Sequence, residues 1–375
     1  MKKVYYIILF TSILFSCEKS ISDFQSKNFV KFFGSGNESK GNDVIELTGG
    51  GYLVVGSDLV NSTDYQIYAC KIDADGNLIW SNTYGDGALK DEGKTVKEVS
   101  DGFIISGTSV ETGGLVHSFL MKINQYGDVR WTKFVGKQDC DISVNDIVVE
   151  GTSIYLAGSS DTLLANKTDY YVSKLDTSGN KIWDKHFQIS LNSSFQRVFS
   201  NNDELILVGT DGTTGKASIF LTPKTHFGIN SSAVAGNSSE VAGDACFYGS
   251  QLLVLLNNGV NSSALENLNT GLSQVWRTDD INSIVAKSVA LKNDGTIIIA
   301  GENTLEGTTY INFIMVDNNG EVYYGNDVFR TLQGNVGKVL KTNDDGLILV
   351  GTTASTFGKT IQLIKTDKDY FMLKN

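Results

Sequence analysis

An apolar run that closes on glycine recurs along this chain about every fifty residues. It ends at Gly56, Gly107, Gly158, Gly209, Gly301 and Gly351, as in Tyr52-Leu-Val-Val-Gly56 and Leu347-Ile-Leu-Val-Gly351. A degenerate copy, Leu252 to Leu256, lacks the glycine, and successive ends lie 51, 51, 51, 47, 45 and 50 residues apart. A period of this length restricts the chain to a solenoid or a propeller. Four or five consecutive aliphatic and β-branched residues bounded by Gly, Asp and Asn form a strand, since a helix needs a longer run.

Each unit carries three further strands. A short apolar strand and tight turn precede the run, as in Val96 to Val99 before Asp101-Gly102. A longer polar loop and a third strand follow it, then an Asp/Asn-Gly type hairpin: Asp75-Gly76-Asn77, Tyr126-Gly127-Asp128, Ser178-Gly179-Asn180, Asn319-Gly320-Glu321. Four residues past that glycine the fourth strand presents Trp80, Trp131, Trp183 or Tyr324, with Trp276 in the altered fifth copy. Aromatics at repeat-fixed positions serve packing between units. Four antiparallel strands taken seven times predict an all-β, seven-bladed β-propeller. The seventh unit stops after its third strand, and Phe29 to Gly34 copies the fourth-strand segment Trp80 to Gly85. The N-terminal strand is therefore expected to close the last blade, making residues 29–375 one domain. The repeat, D-G-(G)-Y-I-I-x-G followed by K-x-D-x-x-G-x-x-x-W, resembles the degenerate propeller repeats of secreted Bacteroidetes proteins. That resemblance implies an architecture and no activity.

The segment before the repeats reads as an address. Lys2 and Lys3 precede a mostly apolar stretch, Val4 to Phe15, too short for a permanent membrane span. Leu14-Phe15-Ser16-Cys17 resembles the bacterial lipobox, with Phe15 standing where a small residue is commoner. The resemblance implies a signal peptide over 1–16, lipid on Cys17 and a lipidated tether over 17–28. A protein with two or three acyl chains would be firmly held at the cell envelope. The outer membrane is the expected location, with either face open.

The formal charge is −11, and loss of Lys2 and Lys3 with the leader brings it to −13. That field disfavours nucleic acid as a partner. With Cys17 set aside, Cys70, Cys140 and Cys246 form no disulfide framework, and they and the three histidines lack metal-ligand spacing. No metal or other cofactor is expected. Asp73-Ala-Asp75-Gly-Asn77 begins like a calcium loop but lacks the closing Glu, so a hairpin turn is expected. No residues form a catalytic set. The polar candidates for a ligand site are Asp43, Thr95, Asp146, Arg197, Asp244, Ser288 and Lys338, each just before the first apolar residue of an innermost strand. Pseudo-symmetry places them around the mouth of the central channel, where polar groups converge. The same symmetry puts the long polar loops on one face and the tight turns on the other. The expected function is a non-catalytic binding or scaffold module taking a glycan or a protein on the long-loop face. The alternative is an enzyme acting on glycans, a hydrolase or lyase, at the channel mouth.

Overall fold

A computed structural model describes residues 28–369, apart from 62, 86–89, 111–115, 136–139, 163–166, 188–191, 226–227, 238, 259–261, 283 and 324–331. The signal peptide, Cys17, the tether up to residue 27 and Tyr324 lie outside the described residues. Among the described residues, twenty-eight strands, β1 to β28 in chain order, form seven four-stranded antiparallel sheets. Blade one is typical: β2 (Lys40–Glu46), β3 (Tyr52–Leu59), β4 (Tyr65–Ile72) and β5 (Leu78–Tyr84) pair in that order. Blade seven is composite. It runs β26 (Asn335–Lys341), β27 (Leu347–Ser355), β28 (Gly358–Lys365), then β1 (Phe29–Phe33) on the outside. The β1 register, Phe29 opposite Lys365 and Phe33 opposite Ile361, is the expected closure.

The apolar second strand of each unit is continuous because both faces of a blade are covered. Along β3, Leu53 and Val55 pack toward blade two while Val54 packs toward blade seven, as alternate residues of a strand must. The seven buried clusters each join two neighbouring blades, so the core is a ring of interfaces. The repeat glycine belongs to this packing. A Cβ at Gly56 would lie 1.8 Å from the Lys40 carbonyl oxygen, and one at Gly351 would lie 2.0 Å from that of Asn335.

The fourth-strand aromatics fill the gap between blades. The Trp80 ring lies against Gly127 of the next hairpin and its Nε1 donates to the Gln125 carbonyl at 3.1 Å. Trp131 covers Gly179, and Trp276 covers Gly320 in the same way. Phe29 takes the equivalent place over Gly76 of blade one. The hairpins themselves are closed by a carboxylate or amide oxygen. Asp73 Oδ1 accepts from the Asp75 and Asn77 amides at 2.9 and 2.8 Å, and Asn124 Oδ1 does the same for Tyr126 and Asp128. A neutral Asn serves as well as Asp, so this is a turn device, as expected.

Candidate functional site

The innermost strands are β2, β6 (Lys90–Val99), β10 (Cys140–Glu150), β14 (Ser194–Asn201), β18 (Val241–Tyr248), β22 (Val285–Leu291) and β26. Each contacts the next around the ring, and β26 returns to β2. Every one of them carries a β-bulge at the same place. The pairing slips by one residue between Gly41 and Asp43, Gly93 and Thr95, Val144 and Asp146, and Phe195 and Arg197. It slips again between Ala242 and Asp244, Ala286 and Ser288, and Val336 and Lys338. The seven candidate site residues are thus the first paired residues after the seven bulges.

The structure brings all seven together but corrects their placement. They stand near the middle of the inner strands, inside the ring and not at its mouth, and all are buried except the half-buried Arg197. An innermost strand has a free edge, and its amides need acceptors. Asp43 supplies Oδ1 to the Val44 amide at 3.0 Å and Oδ2 to the Val96 amide of blade two at 3.0 Å. Asp146 serves Ile147 at 2.9 Å and Val198 of blade four at 3.1 Å. Asp244 serves Ala245 at 2.9 Å and Val289 of blade six at 3.0 Å. Three carboxylates so cover six blades in pairs, and the odd seventh needs a relay. Ser288 Oγ donates to Asp244 Oδ2 at 2.8 Å and accepts the Val339 amide of blade seven at 3.2 Å. Thr95 Oγ1 donates to Asp43 Oδ2 at 2.8 Å.

Three cations accompany the three carboxylates. Arg197 sits 2.9 Å from Asp244 and 3.5 Å from Asp146, and Lys338 Nζ reaches Asp244 at 2.9 Å. Lys97, which the sequence reading did not single out, stands 3.7 Å from Asp146. It lies two residues beyond Thr95 and so on the same side of its strand, which was the available signal. Burial alone would raise the Asp244 carboxyl, but Lys338 and Arg197 outweigh it and hold it at about 2. Burial would likewise lower the Arg197 guanidinium, and Asp146 with Asp244 raise it instead. Asp244 and Arg197 are therefore both charged near neutrality. A carboxyl so acidic is a poor proton donor, and its oxygens are already engaged.

The bulged residues stitch neighbouring blades together as well. Asn42 Nδ2 donates to the Gly93 carbonyl at 2.8 Å, and Asn145 Nδ2 to that of Phe195 at 2.8 Å. In blade five the bulged residue is Gly243, and Asn257 from the next strand reaches the equivalent Ala286 carbonyl at 2.9 Å. A side chain at 243 would collide with that Asn257 amide. Beside the belt lies a cavity of about 210 Å³, lined by Arg197, Lys338 and Lys341 together with Phe199, Cys246 and Leu340. Burial pushes the Cys246 thiol up to about 12, which leaves it protonated and unreactive at neutral pH.

Known proteins resemble this one in fold. No protein-family model matches the sequence, and no curated protein is similar to it. The β-propeller domain of Cps50 (Swd1) from Myceliophteria thermophila superposes with a TM-score of 0.58 at 9% identity, over 90% of this chain and 99% of that one. The Pan2 WD40 domain of Neurospora crassa gives 0.57 at 11% identity, over 93% and 98%. YCF48 bound to D1 peptide gives 0.55 at 11%, over 90% and 97%. At such identities the likeness concerns the propeller alone.

Proposed function

We propose that the protein is a binding or scaffold module, held at the cell envelope by lipid on Cys17, that presents its long-loop face to a ligand. The observation that carries this reading is the direction of β1. A fourth strand starts at the tight-turn face and ends at the long-loop face, so the chain enters the propeller at Phe29 from the tight-turn side. Asn28 Nδ2 fastens it there to Asp367 Oδ2 at 3.1 Å. The eleven residues from Cys17 to Lys27 reach at most about 40 Å. An anchored molecule would therefore turn its stereotyped hairpin turns toward the membrane and its variable loops away from it. Loops on a rigid scaffold are where binding residues concentrate. The engaged state of the belt carboxylates favours binding over hydrolysis or lyase chemistry inside the ring. YCF48, of the same fold, holds a peptide.

The test uses the lipidated full chain in vesicles containing a fluorescence-acceptor lipid. Donor dyes go on Tyr126→Cys, at a hairpin tip on the tight-turn face, or Phe357→Cys, in the β27–β28 turn on the opposite face. Stronger energy transfer from position 126 is expected, and Cys17→Ser should abolish vesicle association. Equal transfer from the two positions would overturn the orientation, and unchanged association of Cys17→Ser would overturn the anchor.

A further inference from the structure

On the long-loop face, between blades six and seven, lies a cleft of about 460 Å³. It is chemically distinct from the belt. Its lining includes Thr308, Thr309, Thr353, Gln333 and Asn335, with Thr353 Oγ1 donating to the Gln333 carbonyl at 2.8 Å and Thr309 Oγ1 lying 3.2 Å from that of Thr304. These groups donate and accept equally well. Among the described residues, the charges in its lining are Glu38 and Lys359, which pair with each other at 3.1 Å and cancel. Among its described lining residues, the one purely aliphatic side chain is Ala354.

Two further observations point to a ligand. Gly334 lies at the lining, and a Cβ there would approach Gln362 Oε1 at 3.1 Å. That oxygen is buried and has no hydrogen-bond partner. A buried carbonyl left unpaired is unfavourable, and a ligand donor admitted beside Gly334 would satisfy it. The rim is also unusual. Phe357 is 84% exposed at the β27–β28 turn, immediately before the lining residue Gly358. Leu305 is 58% exposed at the corresponding turn of blade six. A ring so exposed adds nothing to the core, and aromatic faces offer a rigid apolar platform at little entropic cost.

From this combination we infer that the cleft binds a neutral saccharide, with Phe357 as its stacking platform. A pyranose ring has an apolar C–H face suited to an aromatic ring and hydroxyl edges suited to amides and hydroxyls. The internal Glu38–Lys359 pair offers no net charge to an acidic or basic ligand. A peptide anchored by apolar side chains would need a greasier pocket than one alanine provides.

The inference rests on the long-loop face being the binding face, and its test separates the two. The labelled full chain in detergent is applied to an array of neutral and acidic glycans, with Phe357→Ala, Gln333→Ala and Tyr126→Ala beside it. All three changes sit at exposed positions, and unaltered melting temperatures confirm folding. Binding of neutral glycans, weakened tenfold or more by Phe357→Ala and by Gln333→Ala but not by Tyr126→Ala, is the expected result. Silence on all neutral glycans, or binding insensitive to Phe357→Ala, refutes the saccharide site. Capture of a peptide ligand that is lost in Phe357→Ala would refute the saccharide while leaving the binding face standing. Glycan binding lost only in Tyr126→Ala would refute both.

Discussion

Removing the Phe29 ring should loosen the ring of blades at its seam. Phe29 is 7% exposed, covers the Gly76 turn and meets the Tyr52 ring edge-on at 6.2 Å. It belongs to the cluster that joins blade seven to blade one. Burial of this kind makes Phe→Ala worth about 3–5 kcal/mol. Phe32 stands on the same strand three residues later, paired to Gln362, and is 56% exposed. Phe32→Ala should cost under about 0.5 kcal/mol, the usual value for a surface change. At about 2 °C per kcal/mol for a chain of this size, the two variants should differ in melting temperature by roughly 5–10 °C. Thermal unfolding of both purified full-length variants, followed by circular dichroism, measures it. Equal melting temperatures would mean that β1 contributes no buried face and that the propeller closes some other way.

Gly56→Ala should destabilise by about 3 kcal/mol, because its Cβ would overlap the Lys40 carbonyl, whereas Gly49→Ala, with open space around it, should be neutral; chemical denaturation compares them. Asp146→Ala leaves the Ile147 and Val198 amides without acceptors and should cost about 2–6 kcal/mol, and Asp146→Asn, which retains one oxygen acceptor, should cost less. A belt without structural weight would leave both variants at wild-type stability. The Asp244 carboxyl is depressed from 3.8 to about 2, so its contribution is full above pH 4 and is lost as pH falls from about 4 to 2. Stability of Asp244→Asn against pH should therefore be flatter than wild type in that window, and identical slopes would disprove the linkage.

The local chemistry of each repeat was readable in one dimension. Strand, tight turn and hairpin depend on neighbours within a few residues, so Tyr52 to Gly56 or Asp75-Gly76-Asn77 announces its own conformation. Sevenfold recurrence then dictated the count, and the likeness of Phe29–Gly34 to Trp80–Gly85 dictated closure. Blade six resists such reading, since its outermost described strand, β25 (Val322–Tyr323), is short and Gln333 bridges to Tyr310 beyond it. Blade four also departs from the pattern, with no aromatic at the start of its fourth strand, β17 (Ser231–Ala235).

The belt shows where linear reading stops. Identity and spacing were enough to choose Asp43, Thr95, Asp146, Arg197, Asp244, Ser288 and Lys338 as one set. Their depth and partners were not, because a bulge is a slip of one residue in pairing between two strands, and no single strand's sequence records it. Asp146 and Val198 lie 52 residues apart in the chain, and Lys338 and Asp244 lie 94 apart. Only the packing of the blades around the ring brings such groups to about 3 Å, and only then do carboxylates that look like ligand groups become acceptors for the edge amides. The cleft between blades six and seven has the same origin. Glu38 reaches Lys359 because the first strand of the chain completes its last blade, and Gly334 lies over Gln362 because β26, β27 and β28 fold side by side in that blade.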